Sequence, residues 1–137
     1  MTIKVGDRVP EATFTIMGEA GPQTVSSDAL FKGKRVVLFA VPGAFTPTCS
    51  EQHLPGFLAH ADALKAKGVE TIACTAVNDV FVLNAWAKAR EAGDDITMLA
   101  DGNAAFAKAL GLDIDLSPFG LGTRSKRYAM VVEDGVV

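Results

Sequence analysis

Cys49 stands three residues after Thr46 and two after Pro47, where the apolar run Val36 to Val41 gives way to a helical pattern. Thr46 suits an N-cap. Pro47 suits the first helical position, where its missing donor costs nothing, so Cys49 falls at the third. A sulfur there faces backbone N–H groups that have no helical partner, at the positive end of the helix dipole. Both favour thiolate over thiol and place its pKa below the usual value of about 8.5. The Glu or Gln that often reaches back from this position is replaced by a cysteine. A lone cysteine in a first turn reads equally as a small buried apolar residue. The whole stretch Val41-Pro42-Gly43-Ala44-Phe45-Thr46-Pro47-Thr48-Cys49 argues instead for a reactive thiol, with the Thr46 hydroxyl beside it.

A thiolate needs a charge partner, and Arg124, Lys126 and Arg127 are the nearest thing to a basic cluster. Spacing alone does not choose among them. Cys49, His53 and His60 fall at about 0°, 40° and 20° around a helix, which raises a metal site. Cys49 and His60 would lie about 16 Å apart along the axis, too far to share an ion, and His53 adds only one more ligand, so no metal is expected. His53 reads as a polar rim residue able to tune the thiolate. Cys74 lies inside an apolar run and reads as a buried, inert thiol, poorly placed to resolve an oxidised Cys49. No glycine-rich phosphate-binding pattern occurs.

The chain has 137 residues, 49% of them hydrophobic, with a net charge of -3. That fits a single domain over residues 1–137, large enough to bury about two thirds of its unfolded surface without disulfides. Two cysteines with no C-x-x-C pair point to a reducing compartment, and the default expectation is a soluble cytoplasmic protein. A sequence pI near 5.3 argues against a nucleic-acid surface. No window approaches the roughly 20 apolar residues of a membrane span.

The elements that must position Cys49 follow from periodicity. Ala12 to Met17 and Gln23 to Val25, with turns at Gly18 and Gly21-Pro22, predict an N-terminal hairpin. Ser27 to Phe31 predicts one helical turn stopped by Gly33. Val36 to Val41 is apolar on both faces and predicts a central strand, which places the following loop at a strand's carboxyl end, where sites in open α/β sheets gather. Leu54, Phe57, Leu58, Ala61 and Leu64 predict a helix from Pro47 to about Lys67, kinked near Pro55. Val69 to Val77 predicts a strand, Asn78-Asp79 a cap for a helix reaching Gly93, and Ile96 to Ala100 another strand. Asp101 should cap a short helix ending at Gly111. Asp113 to Thr123 reads as loop and Tyr128 to Val132 as a strand opened by Arg127. Glu133-Asp134-Gly135 is a hairpin signal, so Val136-Val137 begins a return strand, and continuation of the chain beyond it is expected. This order implies an α/β protein of thioredoxin-like fold, a mixed sheet flanked by helices, with the N-terminal hairpin added.

The stretch Val41 to Ser50, with His53-Leu54-Pro55-Gly56-Phe57, closely resembles peroxiredoxins of the type 5 (type II) subgroup. The resemblance extends from Lys4-Val5-Gly6-Asp7 through Leu30 to Lys34, Ala73-Cys74, Val77-Asn78-Asp79 and Trp86 to Arg127-Tyr128-Ala129-Met130-Val131-Val132. It implies a peroxidase for hydrogen peroxide and organic hydroperoxides that uses a cysteine and no metal, haem or other cofactor. Cys49 matches the peroxidatic cysteine, Thr46 the hydroxyl that contacts peroxide and sulfur, Pro42 the ring that shields the pocket, and Arg127 the arginine that pairs with thiolate and peroxide. Gly43 and Thr48 join Cys49 as substrate-binding candidates, and His53 and Arg124 become supporting candidates behind them. The resemblance further implies that the first helical turn unwinds to expose the sulfur.

Members of this subgroup continue past the position of Val137 with a strand and a helix, and some carry a resolving cysteine there. The expectation for this chain is one-cysteine chemistry, with glutaredoxin, glutathione or thioredoxin as reductant. A homodimer through loops near the site is implied, with Phe45, Phe81 and Phe119 as interface candidates. The competing readings are a peroxide-sensing redox relay or partner-binding module, and a thiol-disulfide oxidoreductase, which the missing second cysteine beside Cys49 disfavours.

Overall fold

The computed structural model describes residues 2–46, 54–92 and 95–137. Strands β1 (Thr13–Gly18) and β2 (Gly21–Ser26) form the expected antiparallel hairpin. Helix α1 (Ser27–Phe31) follows, its first turn held by Ser26, whose Oγ accepts from the Ala29 N–H at 3.1 Å. β3 (Arg35–Ala40) runs parallel to β4 (Thr71–Ala76), and β4 parallel to β5 (Thr97–Ala100). β8 (Tyr128–Glu133) lies antiparallel to β3 with Ala40 opposite Tyr128, and β1 joins the other side through Thr15 and Ala100. The sheet order is therefore β2-β1-β5-β4-β3-β8, with β5 and β4 at the centre and β3 flanked by β4 and the edge strand β8. This is the thioredoxin-like mixed sheet, extended by the hairpin.

Alternation along the strands divides the core in two. On one face Val37, Phe39, Val41, Ile72, Cys74 and Ala76 pack against Leu54, Ala61, Leu83 and Trp86 from helices α2 (Leu54–Ala59), α3 (Ala61–Ala66) and α4 (Val80–Ala89). On the other, Val36, Leu38, Ala73, Leu99 and Val132 pack against Phe31 of α1 and Phe106 and Leu110 of α5 (Ala105–Leu110). Phe57 stacks flat on Phe39 with ring centroids 4.0 Å apart, seating α2 directly over the central strand.

Three expectations are corrected. The helical run breaks at His60 (φ −105°, ψ 6°), where the periodicity expects it to continue, while the turn before Pro55 that the expected kink involves lies outside the described residues. The His60 ring nitrogen reaches back 2.8 Å to the Gly56 carbonyl, the oxygen an unbroken ladder would offer to the His60 N–H. α4 stops at Ala89, short of Gly93, which lies outside the described residues. Glu91 takes the left-handed conformation (φ 55°) usually given to glycine. The Glu91 and Ala92 N–H groups then close on the Lys88 and Ala87 carbonyls at 3.2 and 2.9 Å. The stretch expected as loop holds a second, two-stranded sheet of β6 (Asp113–Asp115) and β7 (Thr123–Ser125), joined across a 3₁₀ turn at Ser117–Phe119. That turn is nucleated by Asp115, whose carboxylate accepts from the Ser117 hydroxyl and N–H, contacts that hold its pKa below 3.8.

Asp101 caps α5 as expected, but from four residues before it: its carboxylate oxygens accept from Phe106 N at 3.0 Å and Ala107 N at 2.9 Å. At 5% exposure, burial raises its pKa from 3.8, while the N–H donors and Lys108 pull it back. With the folded pKa raised, protonation of Asp101 contributes stability that is fully present below pH 3.8 and lost as pH rises through the folded value. Asp101→Ala, which strands two buried donors, is expected to cost about 2 kcal/mol in urea unfolding at neutral pH. Its stability deficit against wild type should be larger below pH 3.8 than at neutral pH.

Candidate active site

The loop from Val41 to Thr46 leaves the carboxyl end of β3. Val41 is buried, and its N–H donates to the Thr75 carbonyl at 3.2 Å, carrying the β3–β4 pairing one residue past the strand. Pro42 follows, half-buried, then Gly43, which is buried. A Cβ on Gly43 would stand 3.1 Å from Arg124 Nη1 and 3.3 Å from Thr46 Cγ2, so a side chain here would press on both neighbours by a few tenths of an ångström. Phe45 adopts φ 64°, a left-handed conformation rare for a bulky residue, and lies 53% exposed. This turn brings Thr46 back over Gly43, where its Oγ1 donates to the Gly43 carbonyl at 2.7 Å.

Two residues at the end of β4 fix the loop. Asn78 Oδ1 accepts from the Ala44 N–H at 2.9 Å, while Asp79 alone caps α4, its Oδ1 accepting from Val82 N at 2.8 Å. The sequence reading took both residues as cap candidates and missed the loop contact of Asn78. The signal was the doublet itself, since one helix end needs only one of them. Val77 acts through Arg124, whose Nη1 donates to the Val77 carbonyl at 3.2 Å and whose Nε donates to the Leu121 carbonyl at 2.9 Å.

Arg127 precedes β8 by one residue rather than opening it. The antiparallel register that sets Ala40 opposite Tyr128 carries Arg127 to the level of Val41, where the site loop begins. Tyr128 packs with the cluster on the α1 and α5 face, and Arg127 itself is exposed. The Tyr128 hydroxyl is buried with no hydrogen-bond partner among the described residues, and burial, then the charges of Asp101 and Cys74, push its pKa far up. It is neutral and anchors the strand that carries Arg127.

Cys49, Thr48 and His53 lie outside the described residues, as does the first turn that Thr46 was expected to cap. Pro42, Gly43, Thr46 and Arg124 are brought together, and Arg127 stands at the same end of the sheet. Cys74 is fully buried in β4 between Phe39 and Met98. No group of three His, Cys, Asp or Glu able to hold a metal occurs among the described residues, and no helix among them is long and apolar enough to cross a membrane.

The arrangement is therefore a shaped loop at a strand's carboxyl end, with a committed hydroxyl, Arg124 beside it and a cysteine three residues further along the sequence. The Redoxin family profile matches residues 4–137. Peroxiredoxin-2E-2, chloroplastic, from Oryza sativa subsp. japonica is 52% identical over 141 residues, covering 99% of this chain and 63% of the relative, so the chain spans less than two thirds of that protein's length. The crystal structure of reduced Prx3 in complex with H2O2 from Vibrio vulnificus superposes with a TM-score of 0.95 at 54% identity, covering 99% of this chain and 85% of that one. The structure of peroxiredoxin 5 from Alvinella pompejana gives a TM-score of 0.89 at 39% identity, covering 98% and 85%. The chain belongs to the redoxin family and, within it, to the peroxiredoxins of the type II, or type 5-like, subgroup.

Proposed function

We propose that the protein is a thiol-dependent peroxidase that reduces hydrogen peroxide and organic hydroperoxides at Cys49. The observation that carries this is the overall likeness to a neighbour crystallised with peroxide. A chain that superposes over 99% of this one was crystallised with H2O2, and here Pro42 to Thr46 are held in a fixed turn beside Arg124. The Thr46 proton is committed to the Gly43 carbonyl, so its oxygen meets a peroxide as a hydrogen-bond acceptor and orients the O–H. The Cys49 thiolate attacks the near oxygen and the O–O bond breaks. The leaving oxygen departs with the bonding pair and takes a proton, while Arg127 stabilises the developing charge and Cys49 becomes a sulfenic acid. One external thiol then displaces water from the sulfenic acid to give a mixed disulfide, and a second releases Cys49 as thiol.

Cys74 does not serve as the resolving thiol, because it is fully buried in a central strand. An external reductant of the glutaredoxin, glutathione or thioredoxin type fits this chain. The exposed aromatics Phe45, Phe81 and Phe119, at 53%, 64% and 78%, support a homodimer through the loops around the site. Free thiols fit a reducing compartment, the cytoplasm in our reading, although the rice relative is named chloroplastic. Steady-state peroxide consumption with glutaredoxin, glutathione and thioredoxin compared side by side tests the proposal. Repeated turnover with at least one donor is expected. A single stoichiometric oxidation without turnover under any of them favours the sensing relay instead.

A further inference from the structure

Arg124 has more structure around it than a supporting cation requires. It sits on β7, in the small second sheet, yet its half-buried guanidinium reaches across to the site loop. Nε is held by the Leu121 carbonyl and Nη1 by the Val77 carbonyl, two neutral acceptors on different segments. No acidic side chain pairs with it among the described residues. Nη1 lies 3.1 Å from the place a Gly43 Cβ would occupy, and Thr46 Cγ2 lies 3.3 Å from that same point. The guanidinium, the Gly43 backbone and the Thr46 side chain therefore meet at one small volume. The Gly43 carbonyl on the far side of that contact takes the Thr46 proton.

We infer that Arg124 is a positioning residue for peroxide reduction: clasped by the Leu121 and Val77 carbonyls, it backs Gly43 and fixes the direction of the Thr46 hydroxyl. The inference rests on the peroxidase reading. Only a planar fork holds two carbonyls on separate segments while keeping a flat edge against Gly43; a lysine carries the same charge but not that geometry. The clasp works on the peroxide's orientation and leaves the nucleophilicity of the sulfur to Arg127.

The two roles separate in a pair of second-order rates measured on the Cys74→Ser background: oxidation of Cys49 by hydrogen peroxide, and its alkylation by neutral iodoacetamide. Arg124→Gln and Arg124→Lys are each expected to slow oxidation about tenfold while alkylation stays within about twofold, as a misplaced orienting group would do. Gly43→Ala, which presses the same contact from the other side, is expected to act likewise and carries the test if Arg124→Gln does not fold. Oxidation at the wild-type rate in Arg124→Gln, full rescue by Arg124→Lys, or an equal fall in both rates overturns the inference. A wild-type protein that is alkylated at Cys49 but not oxidised by peroxide overturns the peroxidase reading instead.

Discussion

Cys49→Ser is expected to abolish peroxide reduction, lowering turnover by at least about a thousandfold, since a serine hydroxyl at neutral pH is a far weaker nucleophile than a thiolate. Cys74→Ser should keep most of the activity. Its sulfur is fully buried among Phe39, Met98 and the rest of the α2 and α4 core, out of reach of peroxide and of an oxidised Cys49 partner. Its effect should appear in stability: a hydroxyl in that apolar site is expected to cost about 1–2 kcal/mol in urea unfolding. The pair thus separates chemistry from packing within one protein. Full turnover in Cys49→Ser would contradict the assignment of the nucleophile, and loss of turnover in Cys74→Ser without loss of fold would contradict the reading of Cys74 as inert.

Arg127→Gln carries the second large effect. A cation beside a thiol favours the charged form, so removing it raises the thiol pKa and lowers the thiolate fraction at neutral pH. The midpoint of Cys49 alkylation against pH is expected to move up by about one unit. The rate of oxidation by peroxide should fall further, about a hundredfold, because in the proposed mechanism the same guanidinium also meets the charge that develops on the leaving oxygen. A midpoint that stays in place would remove Arg127 as the charge partner. The contrast with Arg124 is then informative, since there the alkylation rate is expected to hold.

Much of this was legible because it is local. Val36 to Val41 announces a buried strand by being apolar throughout, Val69 to Val77 by its β-branched and small apolar residues, and both stand as β3 and β4 within a residue or two of the expected ends. The helix start expected after Thr46-Pro47, with its thiol, falls on residues outside those described. The parts that periodicity did not yield are those where one residue takes an unusual conformation. Glu91 and Phe45, both left-handed without being glycine, end a helix and turn the site loop, and neither residue type signals it. The β6–β7 sheet is too short and polar for a strand pattern. The second half of the site was illegible for a different reason: Arg124, Lys126 and Arg127 are distinguished only by where β7 and β8 lie against β3 and β4. The Ala40–Tyr128 register sets Arg127 at the end of the sheet where the loop begins, and the reach to Val77 places Arg124 against Gly43.

The most direct test of the central claim is to treat the reduced protein with one equivalent of hydrogen peroxide, trap sulfenic acid with a dimedone-type reagent and map the label by peptide mass spectrometry. The account predicts label on Cys49, formed as fast as peroxide disappears and absent in Cys49→Ser. Label on Cys74 alone, or peroxide consumed at the same rate by Cys49→Ser, would contradict it.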